Sequence, residues 1–114
     1  MKCIQIYKDS TMDEINIKSN KNLLITLSKK VNNIPDNQKL KELYKWSFND
    51  KFIKCYGFYD GDEIFINKHK LPIGGISSFL DEDSSIINLY SDIFLLLFDK
   101  NDNLFNFNIS DYSV

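Results

Sequence analysis

Apolar side chains recur at every second position through most of this chain, and a single stretch carries them at helical spacing. Ile4 and Ile6 alternate with Gln5 and Tyr7, and Ile15 and Ile17 alternate with Asn16 and Lys18. With the turn residues Asp9, Ser10 and Thr11 between them, these runs predict an N-terminal hairpin. Ser19 or Asn20 then offers a side-chain oxygen to cap a helix. Leu23, Leu24, Leu27 and Val31 fall on one helical face. Lys29 and Lys30 suit the negative end of the helix dipole, and Asn32 or Asn33 suits a left-handed stop. The main helix is therefore expected over about residues 20–32.

Beyond the turn residues Ile34, Pro35, Asp36 and Asn37, the period returns to two. Eight of the sixteen aromatic residues lie between Tyr44 and Phe65, and such side chains fit a pleated, half-buried surface. Turn signals at Asn49-Asp50 and Asp60-Gly61 divide this stretch into a three-stranded meander, starting near Glu42 and returning over Glu63 to Asn67. From Phe52 to Tyr59 both faces are apolar, which places that strand inside the sheet. Gly57 within it marks a bulge or a close backbone approach. Residues 68–85, with Pro72, Gly74 and Gly75, are irregular. Ile86 to Tyr90 reads as a short strand and the apolar run from Ile93 to Phe98 as a buried central one. After an Asp-Lys-Asn-Asp-Asn turn, Phe105, Phe107 and Ile109 predict a last strand with one dry face. The expected fold is α+β: one domain over residues 1–114, mainly antiparallel sheet, with one main helix.

Composition narrows the function classes. The chain has 114 residues, 43% of them hydrophobic, and a net charge of −2. No run approaches the ~20 apolar residues of a membrane helix, and the first ten residues lack the pattern of a secretory signal. An intracellular protein without membrane partners is expected. Cys3 and Cys55 are the only cysteines, and two distant thiols in such a chain read as small buried hydrophobes. Arginine is absent, which removes the bidentate fork that recognises phosphates and guanine edges. Residues 1–58 carry eleven lysines and six acids, whereas residues 59–114 carry three lysines and ten acids. A basic side and an acidic side are expected.

Two resemblances add to this. The opening hairpin, helix and Ile-Pro-Asp-Asn-Gln turn resemble the start of a ubiquitin-like β-grasp domain, without its conjugation tail, which implies a β-grasp-like N-terminal third. The stretch from Cys55 to Phe98, CYGFYDGDEIFINKHKLPIGGISSFLDEDSSIINLYSDIFLLLF, resembles a family of small proteins of giant DNA viruses of amoebae and algae. That resemblance implies a viral source, with a host-cell or virion location, and no reaction or cofactor.

Candidate chemistry is sparse. Asp99, Asn101 and Asn103 match the opening of an EF-hand loop, but Leu104 and Ser110 stand where its glycine and glutamate belong, so a polar turn is expected. Asp81, Glu82 and Asp83 are adjacent loop acids that suit a solvated face or a docking patch more than a cation site. His69 sits between lysines and reads as a solvated loop histidine. No catalytic residue, metal or cofactor is predicted. The leading expectation is a non-enzymatic protein-interaction or assembly module docking through loop 68–85. There Leu71, Pro72, Ile73, Ile76, Phe79 and Leu80 supply apolar anchors, and Asp81, Glu82 and Asp83 supply charge for a viral or host protein with a basic surface. The same apolar residues equally suit a cover over the sheet. The alternative is binding of RNA or single-stranded nucleic acid on a sheet face carrying Lys45, Trp46, Lys51, Lys54 and Tyr56.

Overall fold

In the computed structural model, residues 1–18, 21–32, 34, 38–71, 76–77 and 88–112 are described, residues 76–77 by their backbone alone. Antiparallel strands β1 (Lys2–Ile6), β2 (Met12–Asn16), β3 (Lys41–Phe48), β4 (Lys51–Phe58), β5 (Ile76–Ser77) and β6 (Tyr90–Phe98) form one sheet in the order β2-β1-β6-β4-β3-β5. A short β7 (Leu104–Phe105) pairs with β6 beyond the end of β1. Helix α1 is Leu23–Ser28 and helix α2 is Ile109–Tyr112. No helix among the described residues is long and apolar enough to cross a membrane.

β6 is the strand on which both layers are built, because its run is apolar at consecutive positions. Ile93, Leu95 and Leu97 join Ile4, Ile6, Ile53, Cys55 and Phe107 on the face that α2 covers. Phe94, Leu96 and Phe98 join Cys3, Tyr56, Phe58 and Leu27 on the face that α1 covers. At about 25 cal/mol per Å² of apolar area, a strand dry on both sides contributes more per residue than any edge strand can. That is why the latest long strand occupies the middle.

Polar side chains brace this core where regularity breaks. Three residues of β6, Ser91 to Ile93, stand opposite the single Gly57 of β4, and Ser91 takes a left-handed φ of 59°. The buried Asp92 carboxylate accepts from Gln5 Nε2 at 2.9 Å and from the Asn32 amide at 3.0 Å. Gln5 Nε2 also donates to the Lys30 carbonyl, which ties the exit of α1 to β1. Asn67 Nδ2 donates to the carbonyls of Ile6 and Ser91.

Three expectations are corrected. The helix is six residues long, shorter than 20–32, and its N-cap is Asn22 in a left-handed conformation with no side-chain cap bond. Glu63 to Asn67 does not return as a strand: Glu63–Phe65 form a 3₁₀ turn, with one bridge from Ile66 to Tyr90. β4 instead takes β6 as its second neighbour, because β6 offers apolar side chains on both faces and Glu63 to Asn67 does not. The last expected strand stops at Phe105, and Ile109 begins α2, with Asn108 and Asp111 bonded across its first turn.

Candidate interaction edge

The described sheet has two edges, the outer side of β2 and the end that carries β3 and the short β5. Phe48 pairs with Lys51 across a two-residue turn whose first residue, Asn49, has φ 58°. In such a hairpin the residues flanking the turn form a hydrogen-bonded pair and the next pair does not. The N–H and C=O of Ser47 therefore point away from β4. β5 pairs with β3 at Tyr44 and Lys45, and residues 72–75, which precede it in the sequence, lie outside the described residues. On the α2 face, Trp46 and Phe48 flank Ser47, both half-buried against the core. The Phe48 ring meets Phe107 edge-on at 5.7 Å.

Beside Phe48 the α2 face opens into a cavity of about 490 Å³ lined by Phe48, Asn49, Asp50, Lys51, Leu97, Ser110 and Asp111. Lys51 Nζ is 3.2 Å from Asp50 and lies 4.9 Å over the Phe105 ring. That ammonium holds the Asp50 carboxyl below its ordinary range. Asp111 Oδ2 accepts from the Asn108 amide and side chain.

The sequence-nominated sites divide differently. In loop 68–85, Leu71 packs against the core on the α2 face, and the Ile76 backbone pairs with Lys45. Pro72, Ile73, Phe79, Leu80, Asp81, Glu82 and Asp83 lie outside the described residues. The five residues nominated for nucleic acid do not share one face. Lys45 and Lys54 are cross-strand partners on the α1 face, with Tyr56 two residues on. Trp46 and Lys51 stand on the opposite face, as shown by their partners Ile53 and Phe48. The cations also lie on the protein's own rings, Lys45 at 4.5 Å from Phe52 and Lys54 at 4.5 Å from Phe98. Lys54 is further held by Asp102 at 2.9 Å and Glu42 at 3.5 Å. Tyr56 is buried, and burial pushes its hydroxyl pKa up. Side chains engaged with one another in this way offer little for stacking a base.

His69 is not the solvated residue that its lysine neighbours suggest. It is half-buried, with Nε2 2.8 Å from Tyr112 Oη and Nδ1 3.2 Å from Ser10 Oγ. Desolvation lowers its pKa, and burial pushes that of Tyr112 up to about 12. The Ser10 contact invites comparison with an activated nucleophile, but acyl transfer also needs donors aimed at the developing oxyanion. Among the described residues, four backbone donors beside the cluster are spent: Ser10 N–H on the Tyr7 carbonyl, Thr11 N–H on Asp9, Lys68 N–H on the Lys8 carbonyl and His69 N–H on Asn67. The cluster reads as a latch joining the β1–β2 turn to α2.

The cysteines sit on opposite faces of the sheet, Cys3 toward α1 and Cys55 toward α2. Burial pushes Cys3 up to about 12 and raises Cys55 further, so both are protonated hydrophobes at neutral pH. Asp99 closes the β6–β7 turn by accepting from the amides of Asn101 and Asn103 and from Asn103 Nδ2.

No family model, curated protein or solved structure matches the chain. The giant-virus and β-grasp resemblances gain no support from these comparisons.

Proposed function

We propose that this chain is a non-enzymatic interaction module that takes an extended segment of a partner protein onto the β3 edge. The observation that carries the reading is the outward-facing Ser47 backbone between two half-buried aromatic side chains. Strand addition uses these components: main-chain donors and acceptors give affinity, and alternate side chains give specificity. Within loop 68–85, the described strand Ile76–Ser77 lies on the same edge. A β-grasp-like opening, a viral source and an intracellular setting belong to the same proposal.

Trp46 is the only tryptophan and reports on its own edge. Panning a random-peptide display library on the protein, then titrating selected peptides against Trp46 fluorescence, tests the reading. The peptides are expected to change the emission, and Ser47→Pro to abolish binding. Proline at an outward-facing edge position removes the docking donor without removing a bond to β4. Equal binding by wild type and Ser47→Pro, or failure to select any peptide, overturns the proposal. Displacement of peptide by single-stranded RNA would return the function to nucleic acid.

A further inference from the structure

We infer that the outer side of α1 rests on the surface of an anionic lipid bilayer, with two aliphatic side chains inserted among the headgroups and lysines on their phosphates. Leu27 turns inward and is fully buried, and Leu23 and Val31 pack beside it. The same helix leaves Leu24 and Ile25 outside, 44% and 59% exposed, where an ordinary surface helix carries polar residues. Lys29 stands one turn beyond Ile25, its amide donating to the Ile25 carbonyl at 3.2 Å, so the two side chains share the outward face. Lys21 and Lys30 are exposed at either end of the helix. An aliphatic tip bracketed by lysines is how an amphipathic segment holds to a membrane surface.

Charge gives the sign of the partner. From residue 15 to residue 35 the chain has four lysines and no acid. Among the described residues, the acids on or beside the α1 face are engaged: Asp92 is buried and accepts from Gln5 and Asn32, Asp13 takes the Tyr7 hydroxyl, and Glu42 and Asp102 hold Lys54. The chemistry of the tip favours lipid over an acidic protein. Protein interfaces concentrate their energy in Trp, Tyr and Arg seated in pockets, whereas α1 presents two aliphatic side chains on the convex surface of a helix. Lysine is a compact charge that is attracted to any anionic headgroup without a bidentate fit. Such a contact needs no spanning segment, so it stands beside the absence, among the described residues, of a helix able to cross a membrane.

Flotation of the full chain with vesicles tests this, using phosphatidylcholine alone and phosphatidylcholine with about 30% phosphatidylserine. The protein is expected to float only with the anionic vesicles and to be released at about 0.5 M salt, where screening confines charge attraction to a few ångströms. Ile25→Ser and the double variant Lys29→Gln, Lys30→Gln should each bind roughly tenfold more weakly and melt with wild type, as changes at exposed positions do. Ser47→Pro should float like wild type, which separates this surface from the β3 edge. Absence of flotation, flotation that Ile25→Ser leaves unchanged, or flotation that Ser47→Pro abolishes overturns the inference. A lower melting temperature for Ile25→Ser also overturns it, since the side chain would then be covered. Binding of poly-glutamate in place of the vesicles would overturn it in favour of an acidic protein partner.

Discussion

A side chain's burial is set by contacts that sequence neighbours do not report, and His69 shows the consequence. Lys68 and Lys70 suggest a solvated imidazole, yet Ser10 and Tyr112, 59 and 43 residues away, enclose the ring. Their presence has a measurable sign. Desolvation puts the folded-state pKa of His69 below its unfolded value, so the stability that depends on a neutral ring is complete above the unfolded pKa of about 6.5 and is lost as pH falls through it. Denaturant unfolding at about pH 8 and about pH 5 should therefore show a loss in wild type that His69→Gln lacks. Equal losses in both would mean that the ring is hydrated in the folded state. The cysteines, by contrast, were legible: two thiols far apart in the sequence read as small hydrophobes, and both are buried.

At the scale of elements, the strands with strict alternation were readable and the irregular pieces were not. β1, β3 and β4 stand close to where period two places them, and consecutive apolar residues announced β6 as central. The missed elements, Glu63–Phe65, Ile76–Ser77 and Ile109–Tyr112, are only three, two and four residues long, too short for either period to distinguish. Most of the candidate edge was equally illegible, because the outward direction of the Ser47 backbone follows from the pairing of Phe48 with Lys51 across the turn. Gly57 was readable as a close approach, and the structure supplies the neighbour: a Cβ there would lie 3.0 Å from Ile93 Cγ2 and 3.6 Å from Leu43. Ile93 is fully buried and β-branched, with little room to turn. Gly57→Ala should cost about 1–3 kcal/mol, the usual range for overpacking, measured as a lower denaturant midpoint. An unchanged midpoint would show that the β4–β6 bulge relaxes freely.

At the scale of the molecule, the first strand pairs with the last long one: Ile4 faces Leu95 and Ile6 faces Ile93. Further ties close the same seam, since Phe107 N–H donates to the Lys2 carbonyl and Lys2 N–H to Asn106. Neither the β1–β2 hairpin nor the β3–β4 ribbon can cover its apolar faces without β6. A chain truncated after residue 88 should show no cooperative thermal transition by circular dichroism, and a sharp melt would contradict this account of the core. During synthesis the ribosome delivers residues 90–98 after every other long strand. Until they clear the exit tunnel, the nascent chain displays two sticky ribbons with nothing between them, so a translational pause just before residue 90 is where this protein would most need a chaperone.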